Sequence, residues 1–168
     1  DSGPAVGAES PRFELPSLTG AGNPVHIGGA ADRSTLLFFL SPNCPVCKKL
    51  LPILRSLESA EGERLRLVLA SDGEEGEHRR FAAQQNLERY PYGLSTQMGM
   101  AFLVSRLPFA VLIGADGIVK SKGLVNNREQ LESLLNAQDL GVASIQKYIE
   151  RHNLVEPAHA GSHSHPAA

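Results

Sequence analysis

Leu36-Leu37-Phe38-Phe39-Leu40-Ser41-Pro42-Asn43-Cys44-Pro45-Val46-Cys47-Lys48-Lys49-Leu50 is the stretch whose reading decides the fold. Its first five residues are uninterruptedly apolar and of strand length, as a buried central strand requires, whereas Leu50, Ile53, Leu54 and Leu57 recur at helical spacing. Cys44 and Cys47 fall at the junction. Proline is at home in a first helical turn, where its missing N–H costs nothing, so Pro45 places Cys44 at the helix N-terminus and Cys47 one turn inside.

That placement predicts reactivity. Unpaired N–H groups and the positive end of the helix dipole favour a thiolate over a thiol. Cysteines so placed have pKa values lowered from about 8.5 into the range of about 3.5 to 7.5. Cys44 is therefore the expected nucleophile. Cys47, deeper in the helix, is the expected resolving thiol, which attacks Cys44 within a mixed disulfide and releases the partner. The same pair runs in either direction. Three blander readings fit less well. As a staple, the bridge closes too short a loop to restrict the unfolded chain much. A structural zinc site needs four ligands, and there is neither another cysteine nor a histidine pair at finger spacing. An inert buried dithiol usually lacks a helix start and a flanking proline. Lys48 and Lys49 read as a solvated helix face that adds modest positive potential.

At 168 residues, with 42% hydrophobic and 20% charged side chains, the chain is large enough for one domain with a sizeable core. Sixteen basic against eighteen acidic residues, with no basic stripe interleaved with aromatics, argue against nucleic acid as a partner. The apolar run at 36–40 is far shorter than the roughly 20 residues of a membrane helix. No leader pattern opens the sequence, so any export signal or anchor is expected to have been removed already.

Along the chain, residues 1–10 lack apolar periodicity and read as a flexible lead-in. Phe13 and Leu15, then Val25 and Ile27, alternate across Thr19-Gly20-Ala21-Gly22-Asn23-Pro24, predicting a small hairpin. Leu65, Leu67 and Leu69 alternate as a strand that the preceding helix connects in parallel to 36–40. Reactive sites in open sheets lie beyond the carboxyl ends of such strands, where Cys44 falls. Residues 71–80 read as a solvated loop entering a helix near 77–87, and Ser95 as the cap of a short helix over 96–104. Strands at 109–113 and 118–121 flank Gly114-Ala115-Asp116-Gly117, a hairpin signal that makes the sheet mixed. Asn126 or Asn127 caps a helix with Leu131, Leu134 and Leu135 inward, and a last helix carries Val142, Ile145 and Ile149 on one face. The domain is expected to span residues 11–152, with a flexible histidine-containing tail at 153–168. His26 and His78 read as ordinary surface residues, and Arg106 as an exposed side chain or a contact for an acidic partner.

A strand, Cys-Pro-Val-Cys at a helix start, Pro52 five residues after Cys47, and Leu107-Pro108 ahead of an apolar strand together resemble the thioredoxin superfamily. The resemblance implies an α/β thioredoxin fold, a central mixed sheet flanked by helices, here with an N-terminal β-hairpin extension. It implies that Pro108 is a cis-proline facing the disulfide and that the backbone of Leu107 pairs with an extended substrate segment. Pro45 and Val46, between the cysteines, are expected to tune the redox potential, and no cofactor or metal is implied. One position departs from the pattern. The buried acid that many thioredoxins carry six residues before the first cysteine is here Phe38, so no carboxylate serves the Cys47 proton from that position.

Pro11-Arg12-Phe13-Glu14-Leu15-Pro16-Ser17-Leu18-Thr19-Gly20 and the run from Leu37 to Pro52 resemble, more narrowly, the thioredoxin-like accessory proteins of methylamine utilisation, over about residues 6–150. This implies a periplasmic thiol-disulfide oxidoreductase or isomerase, normally membrane-anchored. Its implied role is maturation of methylamine dehydrogenase, whose small subunit is densely disulfide-bonded and carries a tryptophan-derived quinone. The implied partners are that subunit and a membrane redox companion, MauE. Three other classes compete. A peroxiredoxin-type peroxidase needs threonine three residues before its cysteine and proline four residues earlier still; counting back from Cys47 meets Cys44 and Leu40. A copper-binding or delivery module would use the two thiols with His152, His159, His163 and His165. A thioredoxin-like reductase of cytochrome c maturation would share the chemistry and differ in substrate.

Overall fold

The computed structural model describes residues 3–137. Its centre is β3 (Ser34–Phe39), whose side chains alternate between two cores. Leu36, Phe38 and Leu40 face one, Leu37 and Phe39 the other, and all five are 4% exposed or less. A strand covered on both faces reads as a continuous apolar run rather than an alternating one, which is what the sequence presents.

β4 (Leu65–Ser71) pairs in parallel with β3, and β5 (Tyr92–Leu94) in parallel with β4. On the other side β6 (Phe109–Ile113) runs antiparallel to β3 and β7 (Val119–Leu124) antiparallel to β6. The order β5-β4-β3-β6-β7 makes the mixed five-stranded sheet. A separate two-stranded sheet pairs β1 (Phe13–Leu15) with β2 (Val25–Ile27).

α1 (Pro45–Glu61) follows β3 and buries Leu50, Leu51, Leu54 and Leu57, each side chain contributing about 1.5 to 3 kcal/mol by leaving water. Phe81 and Ala82 of α2 (Glu75–Gln84) and Leu131, Leu134 and Leu135 of α4 (Arg128–Ala137) complete that core. The opposite core is closed by Val25 and Ile27 of the hairpin, Met98 of α3 (Thr96–Ala101), and Phe102, whose ring lies 5.8 Å from that of Phe39. Ser95 caps α3 by accepting from the Met98 N–H, and Asn127 Oδ1 accepts from the Gln130 N–H at the start of α4. Among the described residues no helix is long and apolar enough to cross a membrane.

Several expectations are revised. β5 was not anticipated: three residues at a sheet edge carry too little alternation to be read. α2 begins at Glu75 because the Glu74 carboxylate accepts from the Gly76 and Glu77 N–H groups, a capping role more usual for aspartate, asparagine, serine or threonine. β7 begins at Val119 and runs to Leu124, while Ile118 bridges to Glu9. The stretch read as a lead-in lies along that turn: Gly7 N–H donates to Val119 O, Val119 N–H to Ala8 O and Ser10 N–H to Gly117 O. His78, read as a surface residue, is 1% exposed. The expected helix with Val142, Ile145 and Ile149, the domain end at residue 152 and the histidine tail lie outside the described residues.

Candidate functional site

β3 ends at Phe39, and five residues later the chain enters α1 beyond the carboxyl end of the central strand. Cys44 is the N-cap of α1, in extended conformation, and Pro45 opens the helix. Cys47 N–H donates to Cys44 Sγ at 3.1 Å, and Lys48 N–H donates to Cys44 O at 3.2 Å. The cysteines are joined as a disulfide with Cα atoms 5.2 Å apart. Cys47 is wholly buried, in the core that also holds Phe38, Leu40 and Leu50, whereas Cys44 is part-exposed. One sulfur thus meets solvent and the other faces the core, the asymmetry expected of a nucleophile and its resolving partner. Lys48 and Lys49 are exposed, as is Pro45.

The loop before Cys44 is held from three sides. Leu40 N–H donates to Ala70 O, Ser71 Oγ donates to Leu40 O at 2.6 Å, and Asn43 Nδ2 reaches Glu77 Oε2 at 3.5 Å. On the neighbouring strand Phe39 stands opposite Phe109, so the chain leaving β3 and the chain entering β6 share one end of the sheet. There the Leu107–Pro108 peptide is cis, Pro108 is buried and Leu107 is 39% exposed. A second cis peptide, Asn23–Pro24, lies in the hairpin loop.

Phe38 is 0% exposed in the same core as Cys47, so the position at which many thioredoxins hold an acid is apolar here. A titratable side chain that is buried among the described residues is His78, 1% exposed. Its Nε2 lies 2.8 Å from Asp72 O, which only accepts, so the neutral ring carries its proton on Nε2. Nδ1 then accepts from the Tyr92 hydroxyl at 2.6 Å. Burial, aided by the nearby Glu77 charge, pushes the Tyr92 phenol above its ordinary value. Nothing in the sequence links His78 to Tyr92, because their contact depends on how α2 packs on β5.

A groove of about 180 Å³ is lined by Leu40, Ser71, Asp72, Ser95, Val104 and Leu107 among others. The large hydrophobic side chains exposed among the described residues are Met100 (66%), Leu103 (46%) and Leu107 (39%), all within eight residues of chain. Leu103 has φ 51°, a left-handed conformation disfavoured for a branched side chain by roughly 1–2 kcal/mol. The reason is the end of α3: Leu103 N–H donates to Met100 O and Val104 N–H to Gly99 O, a paired closure that normally places glycine where Leu103 stands. The sequence signal was legible in part, as a helix ending without glycine. Among the described residues no group of three or more His, Cys, Asp or Glu is placed to hold a metal ion.

A disulfide at a helix start, one cysteine part-exposed and the other buried, is the apparatus of a thiol-disulfide oxidoreductase. Residues 5–138 match the Redoxin family. The methylamine utilization protein MauD of Paracoccus denitrificans is 48% identical over 151 residues, covering 89% of this chain and 74% of that protein. MauD of Methylorubrum extorquens is 46% identical over 151 residues, covering 89% and 72%. Among solved structures, a putative thiol:disulfide interchange protein DsbE from Chlorobium tepidum superposes with TM-score 0.67 at 20% identity, covering 79% of this chain and 96% of that one. DsbF of Mycobacterium tuberculosis, in mixed oxidized and reduced forms, gives 0.61 at 14% identity, covering 75% and 94%. These two likenesses establish the thioredoxin-like fold.

Proposed function

Because the chain belongs to the MauD family of redoxin proteins, and carries the paired cysteines of a thiol-disulfide oxidoreductase, we propose that it exchanges disulfides in the small subunit of methylamine dehydrogenase during that enzyme's maturation. Cys44 is the attacking sulfur and Cys47 the resolving one. Leu107 presents its backbone to the substrate beside Pro108, and Pro45 and Val46 tune the potential. The reaction takes place in the periplasm, on a protein held at the inner membrane, with a MauE-type membrane protein exchanging electrons with the pair.

The observation that carries the chemistry is the Cys47 N–H aimed at Cys44 Sγ from the first turn of α1. It stabilises negative charge on that sulfur and leaves it accessible to another polypeptide. The methylamine-utilisation role is supported by relatives 46–48% identical across most of this chain, whose names carry that process. The test is Cys47→Ser in cells producing methylamine dehydrogenase, followed by identification of what stays disulfide-linked to Cys44. Recovery of the small subunit supports the proposal. Recovery of apocytochrome moves the substrate to cytochrome c maturation, and recovery of nothing counts against both.

A further inference from the structure

Phe38 leaves β3 without an acid, and α1 supplies none: its first turn holds no acidic residue, while Lys48 and Lys49 follow Cys47 at the surface. Left to itself, a helix start with two nearby cations stabilises a Cys44 thiolate. A stabilised reduced form makes a disulfide strongly oxidising, so such a pair is biased towards oxidising its partners.

A carboxylate reaches the site from another helix. The first turn of α2 carries Glu75 and Glu77 and is capped by Glu74. Glu74 and Glu75 are exposed and pair with arginines of their own helix, Arg80 and Arg79. Glu77 is half-buried and forms no ion pair among the described residues. Its Oε2 lies 3.5 Å from Asn43 Nδ2, in the residue directly before Cys44, and its charge also reaches the buried Tyr92 hydroxyl.

That carboxylate is held in place. His78, the next residue, is engaged at both ring nitrogens, by Asp72 O at 2.8 Å and the Tyr92 hydroxyl at 2.6 Å, which fixes the first turn of α2 to the end of β4 and to β5. Ser71 Oγ donates to Leu40 O, so the chain that leads to Cys44 is tied to the same end of β4. Carboxylate and sulfur are carried on one frame. The other titratable and charged groups on the elements around Cys44 are Lys48 and Lys49 of α1, Asp72 after β4, Tyr92 of β5 and Arg106 ahead of Pro108. The cations favour a thiolate and the carboxylates oppose it. Of the two carboxylates, Asp72 is exposed and Glu77 half-buried, so solvent screens Glu77 less.

We infer that Glu77 tunes the disulfide pair: held against Asn43, its negative charge opposes the Cys44 thiolate and makes the pair a weaker oxidant than the start of α1 alone would. The inference rests on the exchange reaction proposed above and adds the group that sets its balance point. When two glutathione thiols reduce the Cys44–Cys47 disulfide, the pair gains two electrons and two protons, and glutathione leaves as its own disulfide. Cys44 then gives one proton to solvent, and this last step is the one a neighbouring carboxylate disfavours. Less thiolate means a less stabilised reduced pair, and hence a pair that is reduced less readily.

The test compares wild type, Glu77→Gln and Glu77→Asp in two measurements: the alkylation midpoint of Cys44 in the reduced protein, and the fraction oxidised in glutathione buffers at neutral pH. Glu77→Gln keeps the shape of the side chain and its contact with Asn43 while removing the charge. It is expected to lower the Cys44 midpoint by about half a pKa unit and to shift the glutathione equilibrium roughly threefold towards the reduced pair, as one partly screened charge does. Both shifts are expected to shrink at about 1 M salt, where the screening length falls to about 3 Å. Glu77→Asp restores the charge and is expected to return both values towards wild type. An unmoved midpoint and equilibrium in Glu77→Gln overturn the inference, as do shifts of the opposite sign. Shifts of the expected sign that persist undiminished in high salt, or that Glu77→Asp reproduces in full, also overturn it, because the variant then acts by displacing the Cys44 loop. A wild-type protein that does not exchange with glutathione at all overturns the exchange proposal, while the alkylation midpoints still decide the role of Glu77.

Discussion

Cys47 donates its main-chain N–H to Cys44 Sγ across 3.1 Å, so in the proposed exchange the resolving residue also solvates the attacking sulfur. The pair is a single device, and its two halves differ in what surrounds them. Cys44 is part-exposed at the helix start, and Cys47 is wholly buried in the core that also holds Phe38, Leu40 and Leu50. In the proposed exchange that enclosure is expected to make resolution by Cys47 the slower step.

Slow resolution is measurable. With Phe38 where many thioredoxins hold a carboxylate, the Cys47 proton has no buried acceptor at that position. Insulin reduction driven by dithiothreitol is expected to run roughly a hundredfold below that of a general thioredoxin, the low end of what a positioned base contributes. Rapid insulin turnover contradicts this reading of Phe38.

The His78–Tyr92 pair tests how the site side of the fold is held. His78→Ala leaves the buried Tyr92 hydroxyl without its partner, while the exposed Asp72 keeps Ser71 Oγ as a donor to its carbonyl. A loss of about 1–3 kcal/mol in urea unfolding is expected, the cost of one unsatisfied buried group. A loss below about 0.5 kcal/mol, the range of an ordinary surface substitution, shows that the pair does not hold the fold.

Tyr92 also predicts an alkaline limb. Burial raises its pKa in the folded state, so above the ordinary tyrosine value of about 10 the unfolded chain releases the phenolic proton more readily than the folded one. Folded protein then binds more protons than unfolded, and stability falls as pH rises. Denaturation midpoints measured from pH 9 to 11 are expected to decline, with a shallower decline in Tyr92→Phe. Parallel slopes in the two proteins exclude Tyr92 as the source.

Ser95 anchors the helix whose far end carries Met100 and Leu103. Ser95→Ala removes the acceptor of the Met98 N–H and is expected to cost about 1 kcal/mol, read as a lower chemical-denaturation midpoint. An unchanged midpoint means that the cap contributes nothing to α3.

Much of this arrangement was legible because it is written locally. The apolar run at 36–40, Pro45 after Cys44 and the leucines of α1 each encode one element through its own period or its own N–H accounting, and β3, α1 and the disulfide follow. The glycine-rich turn before β7 did the same for the β6–β7 hairpin. What escaped reading is what tertiary packing creates. β5 is defined by its pairing of Tyr92 with Leu69 rather than by its own three residues. His78 is buried because Tyr92 and Asp72 close around it, and a histidine amid Glu, Arg and Gly carries no sign of that. The groove joins the end of β3, the start of α3 and the residues before β6, which lie far apart in the chain.

The central claim is that Cys44 is a thiolate near neutral pH because of where α1 begins. It is tested by the rate of iodoacetamide alkylation of the reduced protein between pH 4 and 10, with each cysteine followed separately by mass spectrometry. Cys44 is expected to titrate at least one unit below the ordinary thiol value of about 8.5, with Cys47 reacting far more slowly throughout. A Cys44 midpoint at or above 8.5, or faster alkylation of Cys47, contradicts the account.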